Sequence, residues 1–352
     1  MASDGLRVGV LGATGAVGST ILEVLAERDF PVAELVPLAS SRSAGSQVDF
    51  AGGSVEVVEL DEGAIEGLDL VLSSAGGDVS AEWAPKAVAA GAVVVDNTSH
   101  WRMHEQVPLV IPEVNPDAVA SHAGLIANPN CSTMQMVMAL APLHADTPIE
   151  RIVVSTYQSV SGTGNLAVEE LRQQSRALLE DEEPEPPSAY PHRIAFNVIP
   201  QVERFVDGDD YTTEERKMMA ETRKILGVGN ELAVSATCAR VPVMVGHSES
   251  VNVRFSSDLE PERCRDLLVG ASGVAVIDDP ADALYPLPIA AAGSDEVLVG
   301  RIRRDPDEER TLNLWIVGDN LRKGAATNAV QIAELLVERD LVGVPDPSIA
   351  DA

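Results

Sequence analysis

A strand, a glycine turn and a helix in immediate succession near the start of this chain restrict its fold more than any other feature. Leu6-Arg7-Val8-Gly9-Val10-Leu11 reads as a buried strand, Gly12-Ala13-Thr14-Gly15-Ala16-Val17-Gly18 follows, and an amphipathic stretch runs from Ala16 to Arg28. Glycines let the backbone approach a pyrophosphate, and a helix N-terminus favours its charge. Gly12, Ala13, Thr14, Gly15, Ala16 and Val17 are therefore candidate cofactor contacts. The spacing G-x-x-G-x-x-G departs from G-x-G-x-x-G, so its meaning comes from the strand-turn-helix context. Glycines serving only a tight turn are the alternative.

Strand and helix patterns keep alternating through the first third. Further strands are expected at Leu35 to Ala39, Val55 to Leu60, Leu68 to Ser73 and Ala92 to Val95, with a crossover helix at Ala81 to Ala90. This rhythm predicts an α/β fold with a doubly wound, Rossmann-type parallel sheet. Beyond Cys131 the texture changes. Strand-like runs at Arg151 to Ser161, Leu232 to Arg240, Ser250 to Ser257 and Arg310 to Val317 are separated by helical patterns at Leu166 to Leu179, Thr213 to Leu226 and Pro261 to Leu268. That mixture predicts an α+β second domain with a mostly antiparallel sheet. The expected division is 1–130, completed by a C-terminal helix over 322–352, and 131–321. Ala325 to Arg339 reads as an amphipathic helix, and the acidic, proline-rich Glu180 to Pro191 as an exposed loop.

With 352 residues and a net charge of −30, nucleic acid and anionic membranes are poor partners, since both select basic surfaces. No apolar run is long enough for a membrane span, Met1 to Asp4 lacks the character of a signal peptide, and the three cysteines (Cys131, Cys238, Cys264) have no metal or disulfide spacing. A reduced, cytoplasmic protein with no metal is expected. Four lysines stand against twenty-one arginines, which with the acid excess points to a salt-adapted, halophilic surface.

The second strand ends in Ala39-Ser40-Ser41-Arg42-Ser43, without the carboxylate that holds the ribose diol of NAD. Ser40, Ser41, Arg42 and Ser43 suit a 2′-phosphate, so NADP is the expected cofactor; Arg42 also reads as a solvated surface side chain. Asn128-Pro129-Asn130-Cys131-Ser132-Thr133 stands before the apolar run Met134 to Leu143 and puts a thiol where a loop becomes a helix. The helix N-terminus favours a thiolate, which can add to a carbonyl and hold the product as a thioester. Taken alone, Cys131 reads equally as a small buried side chain. His247 can exchange a proton near neutral pH, and Arg240 can clamp a carboxylate.

These segments resemble the aspartate-semialdehyde dehydrogenase family. The resemblance rests on Gly12 to Gly18, Asp96-Asn97-Thr98-Ser99, Arg102, Pro129 to Ser132, Gln158-Ser159-Val160-Ser161-Gly162, Arg240-Val241-Pro242, Gly246-His247-Ser248-Glu249 and Gly318 to Ala326, in that order. It implies reversible, NADP-dependent reductive dephosphorylation of aspartyl phosphate to aspartate semialdehyde, on the route to lysine, threonine and methionine. It also implies that Cys131 is the nucleophile and His247 the acid/base, with Gln158 orienting the intermediate and Asn130 supporting the cysteine. Arg240 would bind the substrate carboxylate, Glu214 its ammonium, and Arg102 and Lys217 phosphate. Ser161, Gly162 and Asn320 would contact the cofactor. A homodimer or homotetramer is implied, with inorganic phosphate and a small-molecule substrate as partners. The neighbouring readings are N-acetyl-glutamyl-phosphate reductase, a related acyl-CoA reductase, and a catalytically silent NADP-binding homologue. His100-Trp101, ahead of Arg102, departs from the expected pattern.

Overall fold

The computed structural model describes residues 5–343, so Met1 to Asp4 and the end of the expected C-terminal segment lie outside the described residues. The chain divides into two compact units: one runs up to Asn130 and resumes at Ala325, and the other is Cys131–Gly324.

In the first unit, strands β1 (Leu6–Leu11), β2 (Val32–Ala39), β3 (Gln47–Phe50), β4 (Gly53–Glu56), β5 (Val58–Glu59), β6 (Leu70–Ser73), β7 (Val93–Asp96) and β8 (Leu125–Ala127) include six that form one sheet, ordered β5-β2-β1-β6-β7-β8. All of its pairings are parallel. The order reverses between β1 and β6, the position at which open α/β sheets bind ligands beyond their strand ends. The segment Val55 to Leu60, read as one strand, is two. β4 closes a hairpin with β3, β5 joins β2, and Val57 between them bonds instead to Ser46 and Gly45. The Thr327–Glu338 helix buries Ala329, Val330, Ile332, Ala333 and Leu336 in the core formed by Val8, Val10, Ile21 and Leu25. Each large aliphatic side chain contributes about 1.5–3 kcal/mol on burial, which keeps this sequence-distant helix in place.

In the second unit, β9 (Ile149–Gln158), β10 (Ala233–Arg240), β11 (His247–Phe255), β12 (Val274–Val276), β13 (Val297–Arg304) and β14 (Thr311–Gly318) form a sheet ordered β10-β9-β11-β14-β13-β12. The three inner pairings are antiparallel and the two edge pairings parallel. Odd-numbered positions of β11 are buried and most even ones are half-exposed, so helices cover one face. The Thr213–Leu226 helix starts on a capping box, with Thr212 accepting from Glu215 N–H and Glu215 accepting from Thr212 N–H, and stops at left-handed Gly227. No described helix is long and apolar enough to cross a membrane.

Candidate active site

Strand register gathers the second unit's site. Arg240 pairs with Gln158 across β10 and β9, Ser248 pairs with Tyr157 across β11 and β9, and His247 pairs with Gly318 across β11 and β14. Four strands therefore end at one level, and Gln158, Arg240 and His247, far apart in sequence, become neighbours. All three are buried.

Ser159, next after β9, holds two of them with its main chain. Its N–H donates to His247 Nδ1 at 3.0 Å, and its carbonyl accepts from Arg240 Nη1 at 2.7 Å. His247 Nε2 and Arg240 Nε are both buried without a hydrogen-bond partner. Buried donors left unsatisfied are costly, so two at one strand level mark a place where a ligand supplies acceptors. Burial, with the Arg240 charge beside it, holds His247 well below the usual imidazole range and keeps the ring neutral. Gly162 keeps the approach open: a Cβ there would lie 3.1 Å from Arg240 Nη1 and 3.3 Å from His247 Nε2.

Gln158 donates to Glu214 Oε1 at 3.0 Å, and Glu214 Oε2 lies 3.5 Å from Lys217 Nζ, one helical turn on. Lys217 also pairs with Glu203. Ser161 and Asn320 are buried in one network, in which Asn320 Nδ2 donates to Ser161 Oγ at 2.9 Å. Cys131 is the first residue of the Cys131–Asp146 helix, half-buried and in no disulfide. One turn later, Gln135 donates to the His247 carbonyl at 3.3 Å, which ties the cysteine's helix to the head of β11. Gly324 is needed beside it, since a Cβ would come within 2.9 Å of Cys131 Cβ.

The acidic loop holds a residue that sequence reasoning missed. Its acidic side chains are exposed as expected, but Glu170 accepts from Ser188 N–H, Ser188 Oγ–H and Ala189 N–H and anchors its far end. Tyr190 then lies with its ring centroid 5.9 Å from the Arg240 guanidinium, and its hydroxyl donates to Thr163 Oγ1. An isolated tyrosine in a proline-rich loop carries no sequence signal for such a contact. Glu249, two residues after His247 on the same face, is also fully buried, and burial pushes its carboxyl well above the usual range, in favour of the neutral form.

In the first unit, Gly12 has φ +83° and abuts Ala75 after β6, and a Cβ on Gly18 would lie 2.1 Å from Gly12 O. The Ala16–Glu27 helix has neither a side-chain cap nor an acidic residue in its first turn. Ser40, Ser41 and Arg42 are exposed after β2, Ser43 is half-buried, and Arg42 has no ion-pair partner among the described residues. An uncapped helix start reached by a glycine loop fits a pyrophosphate, and an unpaired arginine fits a further phosphate. Buried Arg102 donates to the carbonyls of Asn97 and Asn128, at the ends of β7 and β8. The departure at His100-Trp101 has a structural account: Trp101 is buried and donates to Ser80 Oγ, which donates to Asp96. Asn130 is buried directly before Cys131.

A parallel dinucleotide-type sheet, followed by an α+β unit with a helix-initial cysteine and a buried histidine, defines an NAD(P)-dependent oxidoreductase of the semialdehyde dehydrogenase class. Residues 7–122 match the semialdehyde dehydrogenase NAD-binding domain, and residues 140–323 match the semialdehyde dehydrogenase dimerisation domain. The aspartate-semialdehyde dehydrogenase of Aquifex aeolicus (strain VF5) is 53% identical over 341 residues, covering 96% of this chain and 100% of that protein. That of Bacillus subtilis (strain 168) is 49% identical over 345 residues, covering 96% and 99%. The crystal structure of aspartate semialdehyde dehydrogenase II from Vibrio cholerae complexed with ASA superposes with a TM-score of 0.91 at 48% identity, covering 96% of this chain and 99% of that one. A Candida albicans enzyme solved with NADP superposes with a TM-score of 0.73 at 26% identity over 96% of this chain and 100% of that one. The chain belongs to the aspartate-semialdehyde dehydrogenase family.

Proposed function

We propose that this chain catalyses the reversible, NADP-dependent reductive dephosphorylation of L-aspartyl phosphate to L-aspartate 4-semialdehyde, through a thioester on Cys131. The observation that carries the reading is the pair of unsatisfied buried donors, Arg240 Nε and His247 Nε2, beside the Gln158–Glu214 hydrogen bond. A substrate with a carboxylate, an ammonium and a reacting carbonyl oxygen matches those groups.

In the oxidative direction the Cys131 thiolate adds to the aldehyde carbon, and the oxygen that gains charge takes the Nε2 proton of a His247 ring that has picked up a second proton from solution, which makes the hydroxyl and leaves the ring neutral. His247 then takes the hydroxyl proton as the carbonyl re-forms. NADP, when bound, supplies the hydride acceptor. Phosphate attack on the thioester forms the carbon–oxygen bond of the acyl phosphate and returns the thiolate to Cys131. Arg240 binds the substrate carboxylate and Glu214 its ammonium; Gln158 orients the intermediate and Asn130 supports the cysteine. Lys217 and Arg102 are the cations assigned to phosphate. Gly12 to Val17, Ser40 to Ser43, Ser161, Gly162 and Asn320 are assigned to the cofactor, with Arg42 favouring NADP over NAD. The first unit then serves as the NADP-binding domain and the second as the catalytic and dimerisation domain. A cytoplasmic homodimer or homotetramer with a salt-adapted surface completes the reading.

The test is phosphate-dependent NADP reduction in high salt, with aspartate semialdehyde and with N-acetylglutamate semialdehyde, beside Cys131→Ala. Turnover of the first aldehyde alone, abolished in the variant, is expected. Glu214 favours it, since a free ammonium needs an acid and an acetylated amine does not. Turnover of the second aldehyde would overturn the substrate assignment, and turnover by Cys131→Ala would overturn the mechanism.

A further inference from the structure

We propose that the Ser159 hydroxyl, backed by the side-chain carbonyl of Asn320, is the positioning group that lets His247 change which ring nitrogen carries its proton. Ser159 was expected to do no more than lie in a motif, and Asn320 to touch the cofactor. The geometry gives them a shared task at the histidine.

His247 Nδ1 faces two groups of one residue, the Ser159 N–H at 3.0 Å and Ser159 Oγ at 3.1 Å. The N–H can only donate, so while it is bonded Nδ1 is an acceptor and the neutral ring carries its proton on Nε2. That tautomer donates to a substrate oxygen but has no lone pair at Nε2 with which to take a proton. Proton acceptance at Nε2 requires a proton on Nδ1, and Nδ1–H then requires an acceptor. Ser159 Oγ is that acceptor, provided its own proton points elsewhere.

Asn320 supplies the elsewhere. Ser159 Oγ donates to Asn320 Oδ1 at 2.9 Å. The amide orientation is fixed independently, because Gly246 N–H donates to the same oxygen at 3.0 Å and Asn320 Nδ2 donates to Ser161 Oγ at 2.9 Å. Ser159, Asn320, Ser161 and His247 are all buried, so no solvent competes for these bonds. Ser159 thus serves the two states with different atoms: the main-chain N–H stabilises Nε2–H and gives up its acceptor when Nδ1 is protonated, and the Oγ lone pair stabilises Nδ1–H and the imidazolium.

The proton balance closes. A proton taken from solution on Nδ1 of the Nε2–H ring gives an imidazolium whose Nδ1–H is accepted by Ser159 Oγ; the Nε2 proton passes to the substrate oxygen and leaves the Nδ1–H ring, the hydroxyl proton returns to Nε2 as the carbonyl re-forms, and loss of the Nδ1 proton to solution restores the resting ring. Charged or titratable groups on the surrounding elements are Arg240 on β10, Glu249 on β11, Asp319 after β14, Glu214 on the Thr213–Leu226 helix and Cys131 on its own helix. Burial and Arg240 both oppose the imidazolium, so its one neutral acceptor matters more than it would in an open site.

The inference rests on the proposed aldehyde chemistry, and its test has one arm that needs no substrate. Histidine labelled with 15N reports which ring nitrogen is protonated, and a pH titration of that signal is compared in the wild type, Ser159→Ala, Ser159→Thr and Asn320→Asp. Ser159→Ala is expected to hold His247 as Nε2–H to lower pH than the wild type, and Asn320→Asp to raise its proton affinity by placing an anionic acceptor behind Ser159. In steady state, Ser159→Ala lowers kcat for semialdehyde oxidation by roughly tenfold to a hundredfold while KM stays within about twofold, and Ser159→Thr restores most of it. Unchanged His247 titration in both Ser159→Ala and Asn320→Asp overturns the proposal. So does wild-type kcat in Ser159→Ala, or a Ser159→Thr enzyme as slow as Ser159→Ala at equal melting temperature. If Ser159→Ala does not fold, the Asn320→Asp titration decides alone. Absence of wild-type turnover would count against the function, whereas the titration shifts speak only to the Ser159 contact.

Discussion

His247 and Arg240 are ordinary residue types whose surroundings make them unusual. Burial first, and the Arg240 charge second, hold the imidazole pKa below its ordinary value. The histidine therefore stays neutral on acidification through its usual titration range near 6.5. The acid limb of kcat/KM assigned to His247 is expected below pH 6.5; a limb at or above that value, removed in His247→Gln, would contradict the neutral resting ring. The folded pKa lies below the unfolded one, so His247 contributes stability present above the unfolded value and lost as pH falls through the folded one. Tyr190 makes the second residue-scale prediction. Its ring faces Arg240 and its hydroxyl is tied to Thr163. A cation–π contact of this kind contributes about 0.5–1 kcal/mol, so Tyr190→Ala should raise KM for aspartate semialdehyde several-fold with little change in kcat. A KM unchanged in steady-state assays would remove Tyr190 from the site.

Elements bring these residues together through caps and register. The Thr213–Leu226 helix carries Glu214 and Lys217, and its position depends on Glu215. One Glu215 oxygen accepts from Thr212 N–H at 2.7 Å, and the other accepts from Cys238 N–H on β10 at 2.9 Å. A single buried carboxylate thus caps the helix and pins it to the sheet. Glu215→Ala leaves two buried N–H groups unsatisfied, at about 1–3 kcal/mol each. The expected result is an unfolding free energy lowered by that amount and a raised KM, because Glu214 moves with the helix. Equilibrium unfolding with a midpoint close to wild type would show that the capping box is incidental. Cys238, on the same strand, and Cys264 are buried, and burial pushes both thiols well above the usual range, so Cys131 is the cysteine on which alkylation should fall.

At the scale of the whole molecule, charge sets the character of the surface. The net charge of −30 is spread over 55 acidic residues against 25 basic ones. None of the four lysines is fully exposed, and Lys323 is buried outright. The surface repulsion is screened over about 10 Å at 0.1 M salt and about 3 Å at 1 M. The melting temperature is therefore expected to rise by several degrees from about 0.1 M to about 2 M potassium chloride, and scanning calorimetry would read it. A melting temperature independent of salt would rule out the salt-adapted surface.

Local pattern and chemistry were sufficient for much of this protein. The strand–glycine–helix start, the alternation of the first third, the helix-initial Cys131 and the amphipathic C-terminal helix are all local signals, since period, turn chemistry and capping act over a few residues. The short strands β3, β8 and β12 were not legible, because so few residues carry too little periodicity to separate a strand from a loop. β13 is longer, but Gly300 and the arginines at 301, 303 and 304 break its apolar run. Nor is the true start of β11 legible, as His247 interrupts the apolar pattern with a polar ring. What only the tertiary structure decided is proximity and protonation. Strand register set Gln158, Arg240 and His247 at one level, burial lowered the proton affinity of His247 and raised that of Glu249, and the anchored loop brought Tyr190 to Arg240. Those properties depend on which groups are excluded from water together, and linear spacing does not encode that.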